Sequence, residues 1–208
     1  MKFSEGIQKL LPFGYLFLVV MGILKESVYY YQIGINILKY STIMDILISP
    51  IATLTSHPLV IAAVAIVILA SYAFPTFLSK RSQKEWVRKL SGLENKTELS
   101  EEELGNHFTI LFTKILAIML LAFFVGIGVG EGLGLKKKIN DGTLKYNHKL
   151  NYGSGEAEQI SLIGTNSEYY FYLAKGNSAI KIAPVGAIKS LEFTNNRMLG
   201  TDSTSLSK

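Results

Sequence analysis

The residues whose types and spacing can carry chemistry lie between Ile33 and Leu54. Four polar side chains recur there at intervals of three or four positions: Lys39, Thr42, Asp45 and Ser49. Because a helix turns by about 100° per residue, this spacing places them on one polar stripe, opposite an apolar face. A charge inside a bilayer is costly, so the stripe must face protein or water. It either lines a pore, ion path or gating contact between several copies, or it pairs with another helix, for example through Lys25 or Glu26, and fixes packing.

A run of alternating glycines, GIGVGEGLG, is the second candidate feature. Gly126 and Gly130 lie four positions apart and therefore on one helix face, where another backbone can approach closely. No strand precedes the run, its spacing departs from G-x-G-x-x-G, and no Gly-Lys-Ser/Thr follows. It therefore matches neither a dinucleotide-binding nor a phosphate-binding loop. The sequence predicts that Gly126, Gly128 and Gly130 serve helix packing.

Groups that could perform catalysis or bind a metal are scattered. The three histidines, His57, His107 and His148, lie far apart without metal-ligand spacing. The chain has no cysteine, which excludes disulfides, thiolate metal sites and cysteine nucleophiles. The serines and aspartates of the last part of the chain form no nucleophile arrangement. We therefore expect no enzymatic activity, no cofactor and no metal.

Two long apolar stretches determine the fold class. Pro58–Leu78 carries no charged side chain, and Phe108–Gly130 carries one, Lys114. A helix rises about 1.5 Å per residue, so about 20 residues cross the roughly 30 Å hydrocarbon core of a membrane. The two stretches predict a multi-pass membrane protein.

Two further spans are predicted before Pro58. The apolar run from Leu10 has no small-residue cleavage site, and it ends near a tyrosine cluster, Tyr29–Tyr31, that is typical of an aromatic belt at a membrane surface. The striped helix is the second span, unless it lies flat in the interface. The predicted membrane domain covers residues 1–138, with spans at about 10–31, 33–54, 58–78 and 108–130.

The third and fourth spans are predicted to form a helical hairpin that extends beyond the bilayer over residues 79–107. Helical spacing continues from Ser79 to Leu90, and Gly92 to Leu99 breaks it. Ser100 followed by Glu103 has the spacing of a capping box, so a new helix is expected to begin there.

The chain after residue 138 has the pattern of a β domain. Apolar and polar residues alternate from Thr143 to Tyr152, which is typical of a half-buried strand. Further strands are predicted at 159–163, 169–173, 179–183 and 188–193, between turns rich in Gly, Asn and Ser. The predicted fold class is a multi-pass α-helical membrane domain of four helices followed by a small all-β domain at 139–194, either a five-stranded meander or an open barrel. Residues 195–208 are predicted to be a flexible tail.

The formal net charge of +5 is explained by Lys and Arg residues beside the spans, so we expect no nucleic-acid partner. Basic clusters flank both the third and the fourth span. Because these clusters lie on opposite sides of the membrane if the fourth span crosses it, the charges do not fix the orientation. We favour four spans with both termini and the β domain in the cytoplasm.

This layout, four short-looped spans followed by a compact β domain in a chain of 208 residues, resembles the small membrane subunits of bacterial antiphage defence systems, such as the Kiwa membrane subunit. The resemblance covers the layout alone; no motif carries it, and no functional residue is transferred. It implies a homo-oligomer of the inner membrane that senses membrane disturbance during phage attachment and works with a cytosolic effector.

The sequence therefore favours a non-enzymatic, oligomeric sensor or scaffold of the inner membrane. A tetramer is favoured because the polar stripe has too few polar partners within one chain. The expected partners are the lipid bilayer, further copies of the chain and a cytosolic effector that contacts the β domain. The alternative is a small ion channel or transporter lined by the polar stripe of the second helix. A membrane enzyme is less favoured, since no catalytic residue types cluster.

Overall fold

A computed structural model describes residues 2–56, 58–81, 84–93 and 100–194, with side chains from residue 12 onward except those of Leu90 and Glu101. His57 and the predicted tail at 195–208 lie outside the described residues. The chain divides into two compact units. The first comprises Met1–Val28 and Leu47–Gly130, and the second comprises Tyr29–Ile46 and Glu131–Lys208.

Five α-helices precede the sheet in the described part of the chain: α1 Lys2–Tyr31, α2 Ile43–Ser56, α3 Pro58–Ser79, α4 Glu85–Ser91 and α5 Glu101–Asn140. The two longest, α1 with 30 residues and α5 with 40, each begin in the first unit and end in the second. The predicted helical part with several apolar helices is thus confirmed.

Three segments are long and apolar enough, by length and composition, to cross a membrane among the residues described: Pro12–Tyr31, Pro58–Ser79 and Glu102–Asn140. Only 11% of the apolar window in α3 and 6% of that in α5 is buried. Their apolar side chains therefore face outward rather than into a protein core. α2, with 14 residues, is shorter than the roughly 20 that cross a bilayer.

The helix predicted over 33–54 is wrong in its first half, because α1 ends in a cap there. Gly34 adopts a left-handed φ of +77°. Its N–H donates to the carbonyl of Tyr31 at 3.1 Å, and the N–H of Ile35 donates to the carbonyl of Tyr30 at 3.0 Å. This pair of hydrogen bonds is the Schellman motif, in which glycine stops a helix without steric cost.

The second half of that segment is helical, but as a separate element. A 3-10 turn at Ile37–Lys39 follows the cap, and α2 begins only at Ile43. Thr42 immediately precedes α2 and hydrogen-bonds within its first turn. The spacing of the polar residues correctly indicated a helix after Thr42. The predicted helix is divided because Gly34 caps the end of α1 and Thr42 caps the start of α2.

The extension predicted over 79–107 is also wrong as a continuation of α3. The short helix α4 follows a turn and ends at Gly92, which has a left-handed φ of +74°. Apolar residues from this connection are buried against α3 and α5 in one cluster: Leu78, Val87, Leu93 and Phe108. The connection folds back onto the helices because these side chains are better buried together than exposed.

The capping box predicted at the start of α5 is confirmed. The N–H of Ser100 donates to a carboxylate oxygen of Glu103 at 2.9 Å, and the N–H of Glu103 donates to the hydroxyl of Ser100 at 3.3 Å. Each side chain satisfies a backbone donor that the first turn of the helix leaves unpaired.

The second unit contains a five-stranded antiparallel sheet, as predicted, with β1 His148–Tyr152, β2 Ala157–Thr165, β3 Tyr169–Ala174, β4 Ile180–Pro184 and β5 Ile188–Phe193. Strands β1 to β4 form a meander, and β5 returns to pair with β1, which gives the order β4-β3-β2-β1-β5. The first strand is shorter than the predicted 143–152. Its pairing with β5 starts at His148, opposite Phe193, so the preceding residues form no ladder with β5.

Both faces of the sheet are apolar, although strict alternation predicts one. One face holds a buried cluster from four strands: Leu150, Ile160, Tyr172, Ala174 and Ala183. On the other face, Phe171 is fully buried together with Tyr30 from the end of α1 and Ile37 from the segment that follows it. The chain between α1 and α2 therefore serves as a cover for the sheet within the second unit.

The tyrosine cluster predicted as an aromatic belt contributes to this core. The ring centroids of Tyr30 and Phe171 lie 5.1 Å apart, and Tyr30 is 5% exposed. The hydroxyl of Tyr29 donates to the carbonyl of Ile163 in β2 at 3.2 Å. Tyr31 alone is strongly exposed, at 79%. Two of the three tyrosines thus contact protein.

Candidate functional site

The four residues of the predicted polar stripe do not lie on one helix. Lys39 is exposed in the 3-10 turn, Thr42 immediately precedes α2, and Asp45 lies in the first turn of α2, all in the second unit. Ser49 lies one turn later in α2, in the first unit. The stripe is wrong as a continuous lining because the segment carrying Lys39 packs on the sheet instead of extending the helix. Two separate polar clusters take its place.

The first cluster joins Ser49 to a charged pair on α1. Nζ of Lys25 lies 2.8 Å from Oε1 of Glu26 and 3.4 Å from the hydroxyl of Ser49. The same hydroxyl donates to Oε1 of Glu26. The side chains of Lys25 and Glu26 are only 10% and 18% exposed. Opposite charges that satisfy each other in this way can reside among apolar helices, whereas either charge alone is costly there.

This cluster lies where α5 comes close to α1. A Cβ atom at Gly128 would be 2.5 Å from the carbonyl oxygen of Lys25, so only glycine permits this approach of the two helices. Within the second unit, Gly132 contacts α1 in the same way, since its Cβ would be 2.7 Å from the carbonyl oxygen of Tyr29. Gly128 and Gly132 are four residues apart on α5 and share one face.

The other two glycines predicted to pack lie elsewhere on the helix. Gly126 and Gly130 are exposed, and no heavy atom lies within 4 Å of the Cβ position at either. The same holds for Gly134. These three glycines recur every four residues and form a second, outward face of small residues on α5.

The two glycine faces predict opposite effects of the same substitution. Gly128→Ala should lower the free energy of unfolding, because the new methyl group meets helix backbone that cannot move alone. Gly126→Ala should leave it unchanged or raise it by up to about 1 kcal/mol, since alanine favours the helix. We expect the two variants to differ by about 2 kcal/mol or more in denaturant unfolding of the full chain in mild detergent. Equal stabilities would contradict the close contact at Gly128.

The second cluster joins the start of α2 to a turn of the sheet. The carboxylate of Asp45 accepts hydrogen bonds from the N–H and hydroxyl of Thr42, at 2.8 and 2.7 Å. It also accepts from the N–H and hydroxyl of Ser167 in the β2–β3 turn, both at 3.0 Å. Burial, the largest influence, raises the pKa of the Asp45 carboxyl, but the bonds from Thr42 and Ser167 together outweigh it, so this pKa lies below its usual value.

The neighbouring Asn166 strengthens the same connection. Its side-chain oxygen accepts from the N–H groups of Glu168 and Tyr169, at 3.0 and 2.7 Å, which shapes the turn. Its side-chain nitrogen donates to the carbonyl of Tyr40 at 2.9 Å. The segment before α2 and the β2–β3 turn are thus held by both a carboxylate and an amide.

The lowered pKa of Asp45 predicts how acid affects the second unit. A carboxylate whose pKa is lower in the folded than in the unfolded state contributes stability that is complete above its unfolded pKa and is lost as the pH falls through the folded pKa. Below about pH 4, the free energy of unfolding should therefore fall less steeply for Asp45→Asn than for the unaltered chain. Glu168→Gln, which changes an exposed carboxylate in the same turn, is the matched control. Parallel pH curves for Asp45→Asn and the unaltered chain would contradict the assignment.

A further polar chain lies within the β unit. The hydroxyls of Tyr152 and Tyr172 are 2.5 Å apart, Tyr152 donates to Glu158 at 3.1 Å, and Lys181 donates to Glu158 at 2.6 Å. Burial first, then the hydrogen bonds with Tyr172 and Glu158, raise the pKa of Tyr152. This network satisfies the hydroxyl of a tyrosine that is 2% exposed, so it secures the core of the sheet.

The two described histidines, His107 and His148, make separate contacts with other residues. Nε2 of His107 is 2.8 Å from the carbonyl of Ser91, and the ring of His148 stacks edge-on near Phe193, with centroids 4.7 Å apart. Burial lowers the pKa of His148. No group of three or more His, Asp or Glu side chains able to hold a metal ion occurs among the residues that the structure describes.

The sequence identified the polar residues of the two clusters, but it did not identify most of their hydrogen-bond partners. Lys25 and Glu26 were named as possible partners of the stripe, and they meet Ser49 rather than Asp45. Ser167 stands in one of the turns between the predicted strands, and no local pattern indicates its bond to Asp45, which lies 122 positions away. The capping box formed by Thr42 and Asp45 was visible in the sequence as Thr-x-x-Asp.

Comparison of the chain with protein-family models, curated proteins and solved structures finds no match. The class of protein is therefore defined by the fold of the described residues: apolar helices, three of which are there long enough to span a membrane, followed by a five-stranded antiparallel sheet.

Proposed function

We propose that this protein is an oligomeric sensor or scaffold of the bacterial inner membrane, in which α1 links the membrane helices to a cytoplasmic β unit. Membrane placement is supported by the apolar side chains that α3 and α5 leave exposed, such as Leu59 at 72% and Ile118 at 66%. Lipid is the surrounding that makes such surfaces favourable.

The single observation that carries the sensing role is the continuity of α1. The helix contributes Lys25 and Glu26 to the polar cluster of the first unit and Tyr30 to the core of the second. Because a helix transmits displacement along its axis, a membrane change that moves α1 also acts on the contact of Tyr30 with Phe171. The proposed output is a change in the β unit that a cytosolic effector recognises.

The proposed input is membrane disturbance of the kind that antiphage defence systems detect. It rests on the resemblance in layout alone, which was drawn for four spans, whereas three segments among the described residues are long enough to cross a membrane. The channel alternative depended on Lys39, Thr42, Asp45 and Ser49 along one helix face. Their separation into a turn and two bonded clusters removes its support, so we do not propose it.

Self-association is supported by the outward glycine face of α5. Small residues four apart allow two helices to approach closely in a membrane, where no water can fill a misfit. Gly126→Leu or Gly130→Leu should lower the copy number of the complex when its mass is measured in mild detergent. A tetramer was favoured by a stripe without enough partners, and this reason no longer holds because Asp45 and Ser49 are bonded within the chain, so we propose self-association without a fixed copy number. Gly134→Leu, nearer the basic end of α5, should have a smaller effect. A monomeric mass for the unaltered chain, or equal effects of all three, would contradict the proposal.

The sensing role is tested by hydrogen exchange in proteoliposomes. Coupling energies between sites are typically about 1–3 kcal/mol, so membrane disturbance by osmotic swelling should change exchange of the β3 amides about 5- to 150-fold. Phe171→Leu keeps an apolar side chain but loses the ring contact with Tyr30, and it should reduce this response. Phe193→Leu alters a 66% exposed ring in the same sheet and should preserve it. No response in the unaltered chain, or similar responses in both variants, would refute the proposed coupling.

A further inference from the structure

A groove of about 730 Å³ lies between the end of α3 and the first turns of α5, within the first unit. Its walls include Tyr72 and Pro75 from α3 and Gly105, Phe108 and Phe112 from α5. Gly105 helps to leave the space open, since no heavy atom lies within 4 Å of its Cβ position. The volume falls within the range of sites that hold small organic ligands.

The interior of this groove suits an apolar ligand. The threonine and serine hydroxyls that line it are bonded to helix carbonyls: Thr76 donates to Tyr72 at 2.8 Å, Ser79 to Thr76 at 3.0 Å, and Thr109 to Gly105 at 2.9 Å. Because these hydroxyls are engaged within their helices, the three side chains present mainly carbon atoms to the interior of the groove. The rings of Tyr72 and Phe112 face each other edge-on, with centroids 6.1 Å apart, across the two helices.

One end of the groove is basic. Lys80 lines it and is exposed. Residues 80–89 contain five Lys or Arg side chains and one carboxylate, Glu85. Arg81 lies over the ring of Phe77, 4.2 Å from its centroid. On the α5 side, the carboxylate of Glu103 is bonded to the N–H of Ser100. The basic residues thus lie on the α3 side of the groove, whereas the sequence places three acidic residues, 101–103, at the start of α5.

The short helix α4 adds a feature of membrane surfaces at the same place. Val87, fully buried, packs α4 into the cluster that contains Phe108, which also lines the groove. The adjacent Trp86, the only tryptophan of the chain, is 47% exposed. Tryptophan beside basic residues is typical of the level of lipid headgroups.

We propose that this groove binds an anionic phospholipid, with an acyl chain between α3 and α5 and the phosphate at Lys80 and the basic residues that follow it. Basic pockets beside membrane helices recognise anionic headgroups in this way. A second copy of the chain is a poorer occupant, because it would bring the same basic residues and a net charge of +5 to an already positive surface. The proposal rests on the membrane placement in the proposed function, but not on sensing.

The test is native mass spectrometry of the full chain in mild detergent, with equal amounts of phosphatidylglycerol and phosphatidylcholine that carry identical acyl chains. We expect phosphatidylglycerol adducts to predominate. Lys80→Gln with Lys84→Gln should reduce the preference by about fivefold for each lysine. Lys136→Gln with Lys137→Gln, which removes two exposed lysines at the end of α5, should leave it unchanged.

A second pair of variants tests the groove itself. Gly105→Leu fills open space on the α5 wall and should remove the bound lipid of either type. Gly14→Leu places the same side chain at an exposed, open position of α1 and should not. Equal adducts of both lipids on the unaltered chain, a preference that survives loss of Lys80 and Lys84, or lipid that persists in Gly105→Leu would overturn the proposal. A lower copy number in Gly105→Leu with lipid still bound would assign the groove to a second copy.

The outcome is separate from that of the sensing experiment. Headgroup preference is measured in detergent without any membrane disturbance, whereas the exchange of β3 amides is measured as a response to disturbance. Either result can therefore fail while the other holds.

Discussion

The burial of Tyr30 against Phe171 is the contact on which the organisation of the second unit depends. It places the last turn of α1 on the sheet, and the chain beyond must then stay close to that sheet instead of continuing as a helix. Gly164 is part of the same arrangement, because a Cβ there would collide with the hydroxyl of Tyr30. The pairing of β2 with β3 shifts register between Leu162 and Gly164, next to this point. The sheet is thus shaped to receive the helix.

The polar residues follow from that constraint. Once the segment after α1 covers the sheet, α2 begins beside the β2–β3 turn. The carboxylate of Asp45 can then accept hydrogen bonds both from Thr42 at the start of α2 and from the backbone N–H of Ser167. Ser49, one turn further along α2, meets Lys25 and Glu26 in the first unit. In both clusters, charged groups are bonded within the protein. Such groups hold elements in place, and this suits a protein whose proposed role is to transmit a displacement rather than to transform a substrate.

Helix α5 divides its surface between different kinds of contact. Gly128 and Gly132 face α1 and permit contact with backbone carbonyls, whereas Gly126, Gly130 and Gly134 face outward. Successive glycines of the run are two positions apart, which turns the direction by about 200°, so the alternating glycines lie on two different faces of the helix. Near its start, the same helix forms one wall of the groove that we propose binds lipid. Internal packing, the proposed assembly and the proposed lipid site therefore use separate parts of one element.

The sequence alone determined the elements whose signals are local. The apolar lengths of α3 and α5, the capping box at Ser100 and Glu103, and the five strands all depend on residues close together in the chain. Gly34 and the Thr-x-x-Asp pattern at Thr42 were local signals too, and they divide the helix predicted over 33–54.

Only the tertiary structure decided which partners the polar and aromatic groups have. Tyr30 looked like a membrane-surface residue, and Asp45 looked like part of a stripe, because a helix period describes one helix and not what packs on it. Phe171 and Ser167 lie more than 120 residues beyond those two positions, and burial of apolar rings and satisfaction of a carboxylate choose such partners only when the chain is folded.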